Sequence, residues 1–141
     1  MPGLTFASQR LPGVTVISVA GEVDATNAGL FDAYLRKSRH LPGEHVVIDL
    51  SEMGFLGSAG LRVLLNTHAY ARQHGGSLHL GAPHPVLARI LETTQAQSVL
   101  RVHPTVEQAV VAALREAQAS MPGTTEKALP VASGMELQQL P

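Results

Sequence analysis

The spacing of apolar residues along this chain switches repeatedly between a strand-like and a helix-like period. That alternation restricts its fold more than any other feature. Leu4-Thr5-Phe6-Ala7 and Val14-Thr15-Val16-Ile17-Ser18-Val19 are strand-forming runs on either side of the turn signal Leu11-Pro12-Gly13, which predicts an opening hairpin. Residues 21–24 read as a polar loop. Leu30, Phe31, Tyr34 and Leu35 then recur at helical spacing, with Asp32, Arg36, Lys37 and Arg39 on the other side, until Pro42-Gly43 ends the helix. His45-Val46-Val47-Ile48-Asp49-Leu50 is nearly continuous in apolar character, the mark of a strand covered on both faces. A loop over 51–57 leads to a second helix over 58–74. Its inward stripe is Leu61, Leu64, Leu65, His68, Ala69 and Arg72; Arg62, Asn66 and Gln73 lie opposite, and Gly75-Gly76 ends it. Further on come a strand over 77–80, a short helix opened by Pro85 and a strand over 98–102. The capping-box pattern Thr105-Val106-Glu107-Gln108 opens a last helix that turns Val106, Ala109, Val110, Ala113 and Leu114 inward. The order β-β-α-β-α-β-α-β-α argues an α/β domain whose mixed sheet combines the hairpin with crossover helices.

One such domain fits the 141 residues, and roughly two-thirds of its unfolded surface can be buried without a metal or disulfide staple. The chain has no Cys, which excludes a cysteine nucleophile and thiolate metal sites and fits a reducing compartment. Net charge is -1 with no cluster of Lys and Arg, so direct binding to a nucleic acid is disfavoured. Residues 1–10 lack a signal peptide's basic and apolar regions, and no run approaches the roughly 20 residues of a membrane span. The expectation is a soluble, cytoplasmic domain over 1–118. Past it, over 119–141, Pro122-Gly123, Pro130 and Ser133-Gly134 read as a flexible tail.

Two stretches carry a functional signal together. The first is Gly21-Glu22-Val23-Asp24. The second runs Val46-Val47-Ile48-Asp49-Leu50-Ser51-Glu52-Met53-Gly54-Phe55-Leu56-Gly57-Ser58-Ala59-Gly60-Leu61. In this order and at this separation they resemble the anti-sigma factor antagonists of the STAS domain family. The resemblance covers nearly all of residues 4–118. It implies a STAS fold, no cofactor, and a regulated serine at Ser58, the residue before x-G-L. It further implies a partner that is both anti-sigma factor and ATP-dependent serine kinase, whose capture releases a sigma factor while Ser58 is unmodified. The Glu22–Asp24 loop with Thr26, the corner Gly57, Ser58, Ala59 and Gly60, and the outward residues Arg62 and Asn66 make up the implied partner surface. The family's usual Asp before the serine is Gly57 here. That departure leaves open a permissive loop residue or a variant bound without being switched.

Read without the family, Ser58 stands at the start of a helix, where unpaired N–H groups and the positive dipole end favour an anion. A plain N-cap role for Ser58 stays open beside the regulatory one, as does capping of the first helix by Asp24 or Thr26. Gly57 and Gly60 leave room for a partner's backbone, and Phe55 and Leu56 are expected to anchor the loop in the core. The 7 histidines (His40, His45, His68, His74, His79, His84, His103) are scattered and show no metal-ligand spacing; His68 is expected to be partly buried and satisfied. A hydrolase is disfavoured because Gly57 directly precedes Ser58, whereas a nucleophile elbow needs G-x-S-x-G. The rival function is a STAS-type interaction or ligand-sensing module in another signalling assembly. Oligomeric state is not legible.

Overall fold

The computed structural model describes residues 3–39, 41 and 43–119. Strands β1 (Thr5–Leu11) and β2 (Val14–Val23) form an antiparallel hairpin whose turn is Pro12-Gly13. Gly13 takes the left-handed conformation there (φ +74°), which a residue without Cβ adopts without strain. Helix α1 (Ala28–Ser38) crosses over to β3 (His45–Asp49), which lies parallel to β2. The short strand β4 (Met53–Leu56) and helix α2 (Ser58–Gln73) lead to β5 (Ser77–Gly81), parallel to β3. Helix α3 (Pro85–Thr93) and a 3₁₀ turn (Ala96–Ser98) precede β6 (Arg101–His103), and α4 (Val106–Ala119) closes the described chain. The six described strands run β1-β2-β3-β5-β6, with β4 pairing the far end of β2. This is the expected mixed α/β sheet. The boundary and tail placed at 119–141 lie, beyond Ala119, outside the described residues.

The pleat sorts the sheet's side chains onto two unequal cores. Val46 and Ile48 of β3 and Leu78 and Leu80 of β5 point to the face covered by α1, α2 and α3. There they meet Phe31, Leu35, Leu64, Leu87 and Leu91, all buried. Each such side chain contributes roughly 1.5–3 kcal/mol of transfer free energy. Val47, between Val46 and Ile48, points the other way and packs with Val14 beneath Ala109, Ala113 and Ala117 of α4. That second core is built largely of methyl groups.

Several local expectations are corrected. Leu30 is 63% exposed, since α1 turns Ala28, Phe31, Leu35 and Ser38 inward instead. The inward stripe of α2 is Gly60, Val63, Leu64, Thr67 and Ala71, while Ala69 and Arg72 are exposed. The small residues Gly60 and Thr67 let the helix approach the sheet closely, and that contact sets its rotation. Residues 21–24 and 51–57 are not simply loops. Asp49 Oδ1 accepts from Ser51 N (2.9 Å) and Met53 N donates to Leu50 O (3.1 Å), a tight turn that sends β4 back beside β2. The strand expected over 98–102 is shorter and later, because Ala96 and Leu100 are drawn into the core around the 3₁₀ turn. His68 is partly buried as expected, but its Nδ1 has no hydrogen-bond partner among the described residues, and burial lowers its pKa.

Candidate partner-binding site

The corner around Ser58 is assembled where β2 and β4 end and α2 begins. Between Gly21 and Glu22 the register of β2 shifts, and the last residues of the strand turn to pair Glu22 with Phe55 and Val23 with Leu56. Gly21 permits that break: its φ is +120°, and a Cβ there would sit 2.8 Å from Gly3 O. Gly57 N then donates to Val23 O (2.8 Å), fixing the start of α2 against the end of β2. Gly57 is the N-cap, in extended conformation (φ −82°, ψ 178°), and no side chain caps the helix. Ser58 is therefore the first helical residue, not the cap, and it is exposed. The first intrahelical bond belongs to Leu61 N, which donates to Gly57 O (2.9 Å). The earlier N–H groups form the positive end of a 16-residue helix directly around the hydroxyl.

The Glu22–Asp24 loop lies against this corner, because a Cβ on Gly57 would be 3.8 Å from Asp24 Cα. Its shape is set by reciprocal hydrogen bonds. Asp24 N donates to Asn27 Oδ1 (2.9 Å), and Thr26 N (2.9 Å) and Thr26 Oγ1 (2.5 Å) donate to Asp24 Oδ1. Asn27 Nδ2 donates to Glu22 O (2.9 Å). The Thr26 hydroxyl, then the Thr26 amide, hold the Asp24 carboxyl below its usual pKa, so it stays ionised. The N-cap of α1 is Asn27, without a side-chain cap bond, so neither Asp24 nor Thr26 caps that helix with its side chain. Asn27, overlooked in the sequence, organises the loop; the spacing Asp24-x-x-Asn27 ahead of a helix was the available signal.

The structure thus brings Glu22, Asp24, Thr26, Gly57 and Ser58 together at one exposed edge. Arg62 and Asn66, four and eight residues beyond Ser58, continue the same outward stripe of α2. Asn66 also borders a shallow crevice between α1 and α2 with Asp32, Arg36 and Tyr70. Two expectations for the corner are corrected. Gly60 is buried and faces the strands, where a Cβ would lie 2.6 Å from both Leu56 Cδ1 and Val23 Cγ1; it does not bare the surface to a partner. Ala59 is half-buried against the main core. Phe55 is 41% exposed, so Met53 and Leu56 alone anchor β4, and the Phe55 ring stands beside Gly57.

Among the described residues no group of three or more His, Asp or Glu side chains is placed to hold a metal, and no helix is long and apolar enough to cross a membrane. Comparison with known proteins agrees with this architecture. A curated anti-sigma-F factor antagonist, RsfA of Mycobacterium tuberculosis, is 28% identical over 106 residues, covering 74% of this chain and 83% of its own. The crystal structure of an anti-sigma factor antagonist from Mycobacterium paratuberculosis superposes with a TM-score of 0.71 at 28% identity, covering 79% of this chain and 95% of that one. The anti-sigma factor antagonist SpoIIAA in its unphosphorylated form shares the fold (TM-score 0.64) at 16% identity, with 79% and 96% covered. The model of the STAS domain matches residues 5–109, and the chain belongs to the STAS domain family.

Proposed function

We propose that this domain is an anti-sigma factor antagonist. In this reading it binds an anti-sigma factor of the ATP-binding serine-kinase type in the cytoplasm, thereby frees a sigma factor, and is controlled by phosphorylation of Ser58. The observation that carries the reading is an exposed serine on the first residue of α2, with no side chain capping the helix and a pre-shaped acidic loop beside it. The relatives named as anti-sigma factor antagonists support it. The partner's footprint is Glu22, Asp24, Thr26, Gly57 and Ser58, extended by Arg62 and Asn66.

A phosphate on Ser58 adds nearly two negative charges and three acceptor oxygens. The positive helix end stabilises an anion there, so the domain stays folded. What changes is the docking face, where a charge stranded in a buried contact costs about 2–5 kcal/mol, or roughly 30-fold to several-thousand-fold in affinity. The test is the affinity of the full chain for its kinase-type anti-sigma partner, measured for wild type, Ser58→Glu and chain phosphorylated by that partner. Mass spectrometry locates the phosphate. We expect binding at least about 30-fold weaker in both modified forms. Equal affinity in all three abolishes the switch, and a phosphate found elsewhere moves it off Ser58.

A further inference from the structure

On the face of the sheet away from Ser58, three histidines far apart in sequence are collected by the parallel register. β3 and β5 pair His45 with Ser77 and Val47 with His79, and β5 and β6 pair His79 with Arg101 and Gly81 with His103. Helix α4 closes over them and contributes Glu116. His79, 1% exposed, holds the centre. Its Nε2 lies 2.7 Å from Glu116 Oε1, and its Nδ1 lies 2.9 Å from His103 Nε2. Arg101 binds the other oxygen of Glu116, and Ser77 also donates to that carboxylate. His45 Nδ1 pairs with Ser77 Oγ (2.7 Å) and lies 3.8 Å from Glu116 Oε1. Near the same strand end, Glu44 is ion-paired with Arg10 of β1 (2.5 Å).

The proton count of this cluster is constrained by geometry. With both rings neutral, one arrangement satisfies both contacts of His79: His103 Nε2–H donates to His79 Nδ1, and His79 Nε2–H donates to Glu116. A single proton lies between the two rings. If both rings become imidazolium, an N–H faces an N–H at 2.9 Å, the hydrogen bond is lost, and two like charges meet. Glu116 favours a first positive charge, but Arg101 already occupies its second oxygen and repels another cation. On its outer side His103 shares a crevice with Glu107 and Arg115 of α4, one charge of each sign. The rest of the α4 contact is apolar: Ala109, Ala113 and Ala117 lie buried against Val14 and Val47, with Leu11, Val16, Val110 and Leu114 packed half-buried around them. The polar cluster is thus the part of the contact that a change of protonation weakens.

We propose that this cluster is a protonation-sensitive clasp: neutral His103 and His79 hold Glu116 and keep α4 on the sheet, and protonation of both rings releases α4 while the opposite face stays packed. The electrostatics agree in sign. Burial, opposed by Glu116, lowers the pKa of His79. Burial also lowers that of His45, with Glu116 and Glu44 opposing and Arg101 reinforcing. For His79 and His45 the neutral ring is therefore the form the fold favours, and release is favoured as pH falls below the ordinary histidine value of 6.5.

Hydrogen exchange of the full chain between pH 7.5 and 5.5, corrected for intrinsic rates, tests this. Amides of α4 are expected to lose protection by about tenfold or more relative to those of α2. In His103→Gln the side-chain amide offers either its N–H or its oxygen to His79, so one partner suits both states of that ring, and the pH response of α4 should shrink severalfold. At pH 7.5, ¹⁵N spectra should show His79 as the Nε2–H tautomer. Protection of α4 that does not change with pH overturns the clasp. So does loss of α4 and α2 protection in step, or an undiminished response in a folded His103→Gln. If that variant does not fold, the wild-type exchange series and the His79 tautomer decide alone.

Discussion

Gly57 stands where the resemblance to the anti-sigma factor antagonists implies an Asp, and its surroundings say what the glycine does. Its φ and ψ are those of an ordinary N-cap, so the backbone does not demand glycine there. A Cβ would meet Phe55 Cε2 at 3.4 Å and nothing closer, and the exposed Phe55 ring has room to yield. An Asp at this position would accept from the unpaired N–H groups of the first turn and restrict the unfolded chain. Gly57→Asp is therefore expected to stabilise the domain by about 1 kcal/mol, a few tenths from the cap and the remainder from lost chain entropy. In a thermal melt this is a rise of about 4 °C. An unchanged or lower Tm means the carboxylate finds no N–H partner. The glycine leaves the first N–H groups of α2 without a side-chain acceptor, so a phosphate on Ser58 would meet them uncapped.

Gly60, only three residues along α2, has the opposite character. It is the point where the helix touches both β2 and β4, against Val23 and Leu56, which are 0% and 1% exposed. Alanine is favoured over glycine inside a helix by up to about 1 kcal/mol. Here the added methyl would lie 2.6 Å from two side chains with no space to move into. We expect Gly60→Ala to be destabilising by about 1–3 kcal/mol through overpacking, read as a lower urea midpoint with little change in slope. Any gain in stability would show that α2 can lift from the strands without cost. The same contact explains why β4 eluded sequence reading. Met53-Gly54-Phe55-Leu56 is short, contains a glycine and lacks alternation, so only the bent end of β2 beside it makes a strand of it.

Taken together, the buried titratable groups make the fold acid-sensitive in one direction. His45, His68 and His79 are all lowered by burial first, so below 6.5 the unfolded chain binds more protons than the folded one. Their contribution is complete above about pH 6.5 and declines as pH falls beneath it. Burial pushes Glu116 up, but hydrogen bonds from His79, Arg101 and Ser77 outweigh it and hold the carboxyl at about 2. Its contribution is present above its ordinary value of 4.5 and is lost on descending towards 2, the same direction. The urea midpoint should accordingly be highest at or above pH 7 and fall steadily to pH 4. A midpoint that rises on acidification contradicts these assignments.

The α/β class, the hairpin, the crossover order and the exposed serine at the head of α2 were all legible in the chain. Each rests on local features: apolar period, the turn at Pro12-Gly13, the breaker pair Gly75-Gly76, and a helix start after a glycine. The rotation of α2, the inward Gly60, the outward Phe55 and the pairing of β4 with β2 were not. They follow from which surfaces approach one another, a property that no window of neighbouring residues contains. The gathering of His45, His79 and His103 is the plainest instance. Spacings of 34 and 24 residues match no motif, yet parallel strands in register set them side by side beneath α4. Local chemistry chooses the elements; long-range packing chooses their partners, and with them which side chains titrate in water and which are held dry.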